Sequence, residues 1–104
     1  MNVYSTELAR AHAYTGTQTV VAPPGIVIVL RDVDSYVSAD LTGAINVYLR
    51  GDGGEIIDWW VCDVDTTIVH QWRGRQVFES GQSFSLTSDG PADWRCSGYE
   101  LIAP

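Results

Sequence analysis

Alternating apolar and polar residues recur in short stretches along most of the chain. "GIVIVL" (residues 25–30) is a continuous β-branched run typical of a buried strand. "SYVSA", "AINVYLR" and "QSFSLTS" alternate in the strand period, with Phe84 and Leu86 predicted to point inward. "EIIDWWVCDV" and "TTIVHQW" are further strand-like segments. No helical stripe is longer than a fragment near the N-terminus, so the pattern predicts an all-β protein.

Glycine and proline divide these segments. "APPG" (residues 22–25), "GDGG" (51–54) and "GPAD" (90–93) predict turns. In the last segment the parity of the apolar positions switches at Gly98, which predicts a β-bulge there. About seven short strands separated by turns indicate a single antiparallel β-sandwich, jelly-roll-like in type.

Residues 1–19 differ from the rest of the chain. "STELARAHA" is compatible with a turn or two of helix, and "YTGTQT" is polar and interrupted by glycine. Such a segment cannot build a core alone, so we predict an extended N-terminal arm at residues 1–19 and a β-sandwich domain at residues 20–104. Charged residues interrupt the first stretch, and no secretory signal is predicted.

Composition narrows the class of protein. The 104 residues predict one domain, and the formal net charge is -7. This acidity argues against a nucleic-acid partner. The apolar run at residues 26–30 is too short to cross a bilayer, so no membrane association is expected. All six basic residues are arginine, which reflects either nucleotide bias or a use for planar, bidentate contacts.

No metal or cofactor site is predicted. Cys62 and Cys96 stand in unrelated contexts, which favours buried reduced thiols over a zinc site, with a single disulfide as the alternative. Asp-Val-Asp occurs at residues 32–34 and again at 63–65. Solvated strand ends explain these pairs better than calcium, which needs six to eight oxygen ligands.

Catalytic residues are not predicted either. Asp58 and Glu79 are the one tempting carboxylate pair for a small glycosidase, but a domain of this size has little room for a deep cleft. His70 shares strand parity with Trp72, which favours a packed or interfacial histidine over a general base. We therefore expect no small-molecule substrate.

The tryptophans indicate a binding surface more strongly than the charged residues indicate a catalytic site. Trp59 and Trp60 are adjacent, so one faces the core and the other faces out. Trp72 precedes Arg73 and Arg75, and tryptophan and arginine are enriched at binding hot spots. We predict that these five residues lie at a subunit interface. Two alternatives stay open: Trp72 caps the end of the sandwich while the arginines pair with local aspartates, or Trp59 or Trp60 is the stacking platform of a carbohydrate-binding module.

Three segments carry a resemblance to a known family: "VVAPPGIVIVLRDVDSYVSA", "HQWRGRQVFESGQSFSL" and "SDGPADWRCSGYELIAP". Over residues 20–104 the chain resembles small β-rich virion proteins of tailed bacteriophages, particularly those of actinobacteria. The resemblance implies a non-enzymatic structural subunit. A capsid decoration (cement) protein is the first expectation, and a head–tail junction component is the second. It implies self-association, contact with the major capsid protein or other virion proteins, and a place in the virion after assembly in the host cytoplasm.

Overall fold

The computed structural model describes residues 6–36, 43–62 and 70–103. These ranges form an antiparallel sheet nearly closed into a barrel and contain no helix, which confirms the all-β prediction. Correspondingly, they contain no helix long and apolar enough to cross a membrane. The strands are β1 (Thr6–Val21), β2 (Ile26–Tyr36), β3 (Ile45–Arg50), β4 (Ile56–Cys62), β5 (His70–Phe78) and β6 (Ser83–Ile102).

The long strand β6 is the centre of the sheet. Residues 94–98 pair with both β1 and β2, and residues 85–88 pair with both β1 and β3. A strand has two edges, so β1 follows one edge of β6 while β3 and then β2 follow the other. β4 pairs with β3 and β5 pairs with β2, which makes β4 and β5 the two ends of the path β4-β3-β6-β2-β5.

Strong curvature of β6 brings the sheet close to a barrel. Val21 pairs with Ser83 at the start of β6, and Ile26 pairs with Ile102 at its end. The chain from Val21 to Ile26 spans at most about 18 Å. A straight strand from Ser83 to Ile102 would span about 63 Å. The two ends of β6 therefore curl toward each other, and the strands paired with it follow the curve.

The predicted turn at "GPAD" is wrong, because β6 runs without interruption through residues 90–93. Its pairing with β1 is interrupted there instead: the register shifts between Ala11 and Gly16, opposite residues 88–94. A β-carbon on Gly90 would lie 2.7 Å from Cγ1 of Ile45, so β6 passes close to β3 at this point. Glycine and proline here mark a bend within one strand rather than its end.

A β-bulge was predicted in β6 at Gly98. The bulges lie instead in the two strands that pair with this part of β6. The unpaired extra residues are Leu8 in β1 and Arg31 in β2, which flank residues 96–98 of β6. A β-carbon on Gly98 would overlap the carbonyl oxygen of Val29. The glycine is therefore explained by the close approach of β2.

The N-terminal segment is a strand within the described residues. Residues 6–21 form β1, so the predicted helical turn in "STELARAHA" is wrong from Thr6 onward, and the predicted boundary at residue 19 falls inside β1. Neither an extended arm nor a two-sheet sandwich is confirmed. The ladder along β6 supplies hydrogen-bond partners that the local sequence does not encode, and this tertiary pairing outweighs weak β-propensity.

The inward faces of all these strands form one hydrophobic core. The least exposed side chains come from β2, β3 and β6, and the predicted inward placement of Phe84 and Leu86 is confirmed. Phe78 closes the core near the end of β5, where its ring lies 5.3 Å from that of Phe84. Cys62 and Cys96 are buried free thiols, as predicted. The predicted strand in "SYVSA" lies outside the described residues beyond Tyr36.

Candidate interaction surfaces

The adjacent tryptophans of β4 face opposite ways, as predicted. Trp59 is 52% exposed, whereas Trp60 is 6% exposed and belongs to the core. The indole of Trp60 stacks on His70 of β5, with ring centroids 4.3 Å apart. Of the two, only Trp59 is therefore available to a partner.

Trp59 belongs to a group of exposed apolar side chains on the outside of β3 and β4, here called the aromatic face. Its ring is nearly parallel to that of Tyr48, at 11° and 6.1 Å between centroids. The guanidinium of Arg50 lies 5.1 Å from the centroid of the Tyr48 ring. Ile56, which pairs with Arg50, and Val61 extend the group and are about half exposed. Aromatic and arginine side chains grouped in this way are typical of binding surfaces.

Trp72 lies on the inward side of β5. It is half-buried and packs against the core. A β-carbon on Gly74 would lie 2.7 Å from Cζ2 of Trp72, so the indole covers the glycine. The glycine in "QWRGRQVF" thus makes room for the tryptophan, and the structure places Trp72 at the margin of the core rather than on the outer surface.

The two arginines of the same segment differ. Arg73 Nη2 donates to Asp34 Oδ1 at 2.7 Å, and Arg73 Nε lies 3.4 Å from Asp32 Oδ1. This is the local pairing that the sequence analysis left open as an alternative. Arg75 is exposed and makes no ion pair with the described residues. The Asp32–Asp34 pair faces an arginine, and no described group of three or more side chains is arranged to hold a metal ion.

Charged residues of alternating sign cross four strands on the outside of the sheet, and we call this row the charged face. Arg73 of β5 pairs with Asp34 of β2, which lies opposite Arg95 of β6 in the strand register. Arg95 Nε lies 3.4 Å from Glu7 Oε1 of β1, and Arg10 Nε donates to the same oxygen at 2.7 Å. Exposed pairs of this kind contribute little stability each.

Two adjoining clefts open on the charged face, and both are lined by Tyr36 and Arg95. One has a volume of about 340 Å³ and is also lined by Asp34 and Gln71. The other, of about 250 Å³, is lined by Arg10, Ala11, His12, Tyr36, Trp94 and Arg95. These residues are not grouped in the sequence, and they meet only through the registers of β1, β2 and β6.

Asp93 anchors the irregular part of β1 behind the second cleft. Its side chain is 1% exposed, and Oδ1 accepts a hydrogen bond from the backbone N–H of Ala13. Ala13 has φ of 47°, a left-handed conformation that is unfavourable for alanine. His12 Nδ1 lies 3.4 Å from the same oxygen, while Oδ2 is buried without a hydrogen-bond partner. The carboxylate therefore holds the bulge that places His12 at the cleft.

The carboxylate suggested for a glycosidase contacts a histidine. Asp58 Oδ2 lies 2.8 Å from Nε2 of His70, whose ring packs on Trp60, so His70 is the packed histidine that the sequence favoured. Glu79 follows β5 in a turn, where its backbone N–H donates to the side chain of Gln82. The contacts of His70 with Asp58 and Trp60 join the two end strands of the sheet, β5 and β4, and place Asp58 in a structural cluster.

Comparison with known proteins adds no name to these surfaces: no protein-family model matches the chain, and no curated protein is detectably similar to it.

Proposed function

We propose that this protein is a non-enzymatic structural subunit of a tailed-bacteriophage virion, with capsid decoration as the first candidate role and the head–tail junction as the alternative. It assembles in the host cytoplasm and acts in the particle. Its partners are the major capsid protein or other virion proteins, together with further copies of itself. The resemblance of residues 20–104 to small virion proteins motivates this proposal.

The exposed aromatic face is the observation that carries it. Trp59 exposes half of its surface beside Tyr48, Ile56 and Val61 on the outside of β3 and β4. A large aromatic side chain within an exposed apolar group marks an interaction site more often than a solvated surface. Burial of such a group in a pocket of a neighbouring subunit is the usual form of a binding hot spot.

Arg75 provides a second contact in this proposal. It is exposed on β5 without an ion pair among the described residues, so its guanidinium is available to an acidic group of a neighbour. Arg73 takes part through the outer side of its pair with Asp34. Trp72 packs against the core on the inward side of the same strand, and Trp60 lies in the core on the opposite face of β4 from Trp59.

Co-sedimentation with purified phage heads tests the proposal, together with the mass of the free protein in solution. We expect binding to heads and a loss of at least about tenfold in affinity for Trp59→Ala. Val77→Ala on β5 is the matched control, because Val77 is also exposed and apolar but lies outside the aromatic face. Hundreds of copies per head would assign decoration, and about a dozen the junction. If the protein does not bind phage heads, both roles are contradicted.

A carbohydrate-binding module is the second candidate, and the parallel rings of Tyr48 and Trp59 favour it. Two nearly parallel aromatic rings, of which Trp59 is exposed and Tyr48 partly exposed, suit stacking against sugars. Trp60 is buried and takes no part in such a platform. A saccharide screen with Trp59→Ala as control separates the candidates. Saccharide binding by the native protein that is lost in the variant supports the module. No saccharide binding by the native protein contradicts the module and favours the virion subunit.

A further inference from the structure

We infer that copies of this chain associate head to tail, with the acidic turns at one end of the barrel docking on the arginine-lined cleft of the next copy. The inference rests on the proposed structural role and names one partner for it, a second copy. It concerns the cleft bounded by Arg10, His12, Tyr36 and Arg95, which is separate from the aromatic face.

Two arginines and a histidine line this cleft in a chain that is acidic overall. With a formal net charge of -7, the protein nevertheless places Arg10, His12 and Arg95 around a single cleft. The two arginines already show their preference for a carboxylate, because the Nε atoms of both approach Glu7 Oε1. Glu7 meets only the Nε atoms of the two guanidinium groups, and the other carboxylate at the cleft, Asp93, faces His12 and the N–H of Ala13. The terminal guanidinium nitrogens of Arg10 and Arg95 donate no hydrogen bond to a described residue, so they remain available for a second carboxylate.

The complementary surface lies at the opposite end of the barrel. Three turns meet there: the N–H of Ala22 donates to Gln82, and the N–H of Ser83 donates to Asp52. These turns, at residues 22–25, 51–55 and 79–82, contain three carboxylates and no basic residue. The cleft lies at the other end of β2, where Tyr36 pairs with Asp93, whereas Ile26 begins β2 beside the turns.

Opposite charges at opposite ends define a contact between different surfaces of identical chains. Contacts of this kind either close into rings or continue as open arrays, whereas a two-fold dimer uses the same surface twice. Electrostatic complementarity of this sort sets orientation and association rate. A subunit of a shell or a neck needs such a directional contact.

Sedimentation equilibrium of the full chain at about 0.1 M and about 1 M salt, where the Debye length is about 10 Å and about 3 Å, tests the inference. We expect association at the lower salt that is lost at the higher. Arg10→Gln with Arg95→Gln removes the cleft, and Glu55→Gln with Glu79→Gln removes the turns. Each double variant should weaken association about tenfold, while Arg31→Gln, which changes an exposed arginine outside both surfaces, should not.

Mixing the two double variants gives the sharpest result. Each retains the surface that the other lacks, so the mixture should form a one-to-one dimer and nothing larger, although each variant alone is monomeric at the same concentration. A wild-type protein that is monomeric at both salts overturns the inference, as does association that neither double variant weakens. Head binding by such a monomer would leave the proposed function standing, whereas loss of both would overturn both.

Discussion

The imidazole of His70 lies against the indole of Trp60 at 14° and 4.3 Å between ring centroids. These residues belong to β5 and β4, the two ends of the sheet path, and no backbone pairing joins these strands among the described residues. Asp58 Oδ2, 2.8 Å from His70 Nε2, adds a second link. Side chains therefore hold the barrel together where the hydrogen-bonded ladder stops.

Removal of this link should lower stability without changing the fold. We expect His70→Ala to reduce the free energy of unfolding by about 1–2 kcal/mol, because it removes a ring contact and a hydrogen bond. His70→Phe is the matched control: it keeps the ring and loses only the hydrogen bond, so its loss should be smaller. Urea titration gives both values. Equal stability of all three proteins would show that β4 and β5 are held by other contacts.

Gly74 tests the packing of Trp72. A methyl group at this position would lie 2.7 Å from the indole, so Gly74→Ala should displace Trp72 from the core margin and cost about 1–3 kcal/mol. Tryptophan emission should shift to longer wavelength as the ring becomes more exposed. In Gly43→Ala the new methyl meets no atom within 4 Å, so this control should leave both stability and emission unchanged. An unshifted spectrum in Gly74→Ala would contradict the packing.

The alternation of apolar and polar residues predicted the side-chain orientations that depend only on neighbouring residues in the chain. The opposite orientations of Trp59 and Trp60 and the inward positions of Phe84 and Leu86 follow directly from the strand period. The strand β1 was not predictable in this way, because its partner residues lie about 60–90 positions away and its own sequence is polar and rich in small residues.

Residues of the clefts were missed for a related reason. Arg10, Tyr36 and Arg95 stand on three strands, and each alone reads as an ordinary exposed side chain. Only the register that sets β1 and β2 on opposite edges of β6 brings them together. Likewise, the sequence was compatible with pairing of Arg73 either to a local aspartate or to a partner subunit. The register between β2 and β5 places Arg73 next to Asp34 of the same chain.

The buried thiols predict a loss of stability at alkaline pH. Burial, together with the negative charges of Asp34 and Glu7, raises the pKa of Cys96 to about 12. Burial also raises the pKa of Cys62, partly opposed by a hydrogen bond with Ser35. The folded state therefore holds these protons more tightly than the unfolded state, and the stabilisation is complete below the unfolded pKa near 9.0.

As the pH rises from about 9 toward about 12, unfolded thiols ionise while the folded Cys96 does not, so the free energy of unfolding should fall. Urea titrations across this range, with Cys96→Ala as the control, check the sign, since the variant should show a shallower slope. At pH 8 the native protein should react with a thiol reagent much more slowly than the unfolded chain. Rapid labelling of the native protein at that pH would contradict the burial of both thiols.

Replacement of Arg73 and Arg75 separates folding from assembly. Both side chains are exposed, and the pair of Arg73 with Asp34 is of the kind that contributes at most about 1 kcal/mol. We expect the double alanine variant to fold with nearly unchanged stability and to incorporate poorly into particles. Asp34→Asn is the control that breaks the same ion pair and leaves both arginines in place. Unfolding of the double variant would show that the arginines serve the core instead.

The pairing of Thr6 with Gly98 places one of the first described residues beside one of the last. During synthesis, β1 and β2 therefore leave the ribosome long before β6, the strand to which both bind. Until β6 emerges, their hydrogen-bonding groups face water, a chaperone or another chain. Contacts so distant in sequence are typical of slow folding. β1 and β2 can therefore form their native hydrogen bonds with β6 only after β6 has been synthesised.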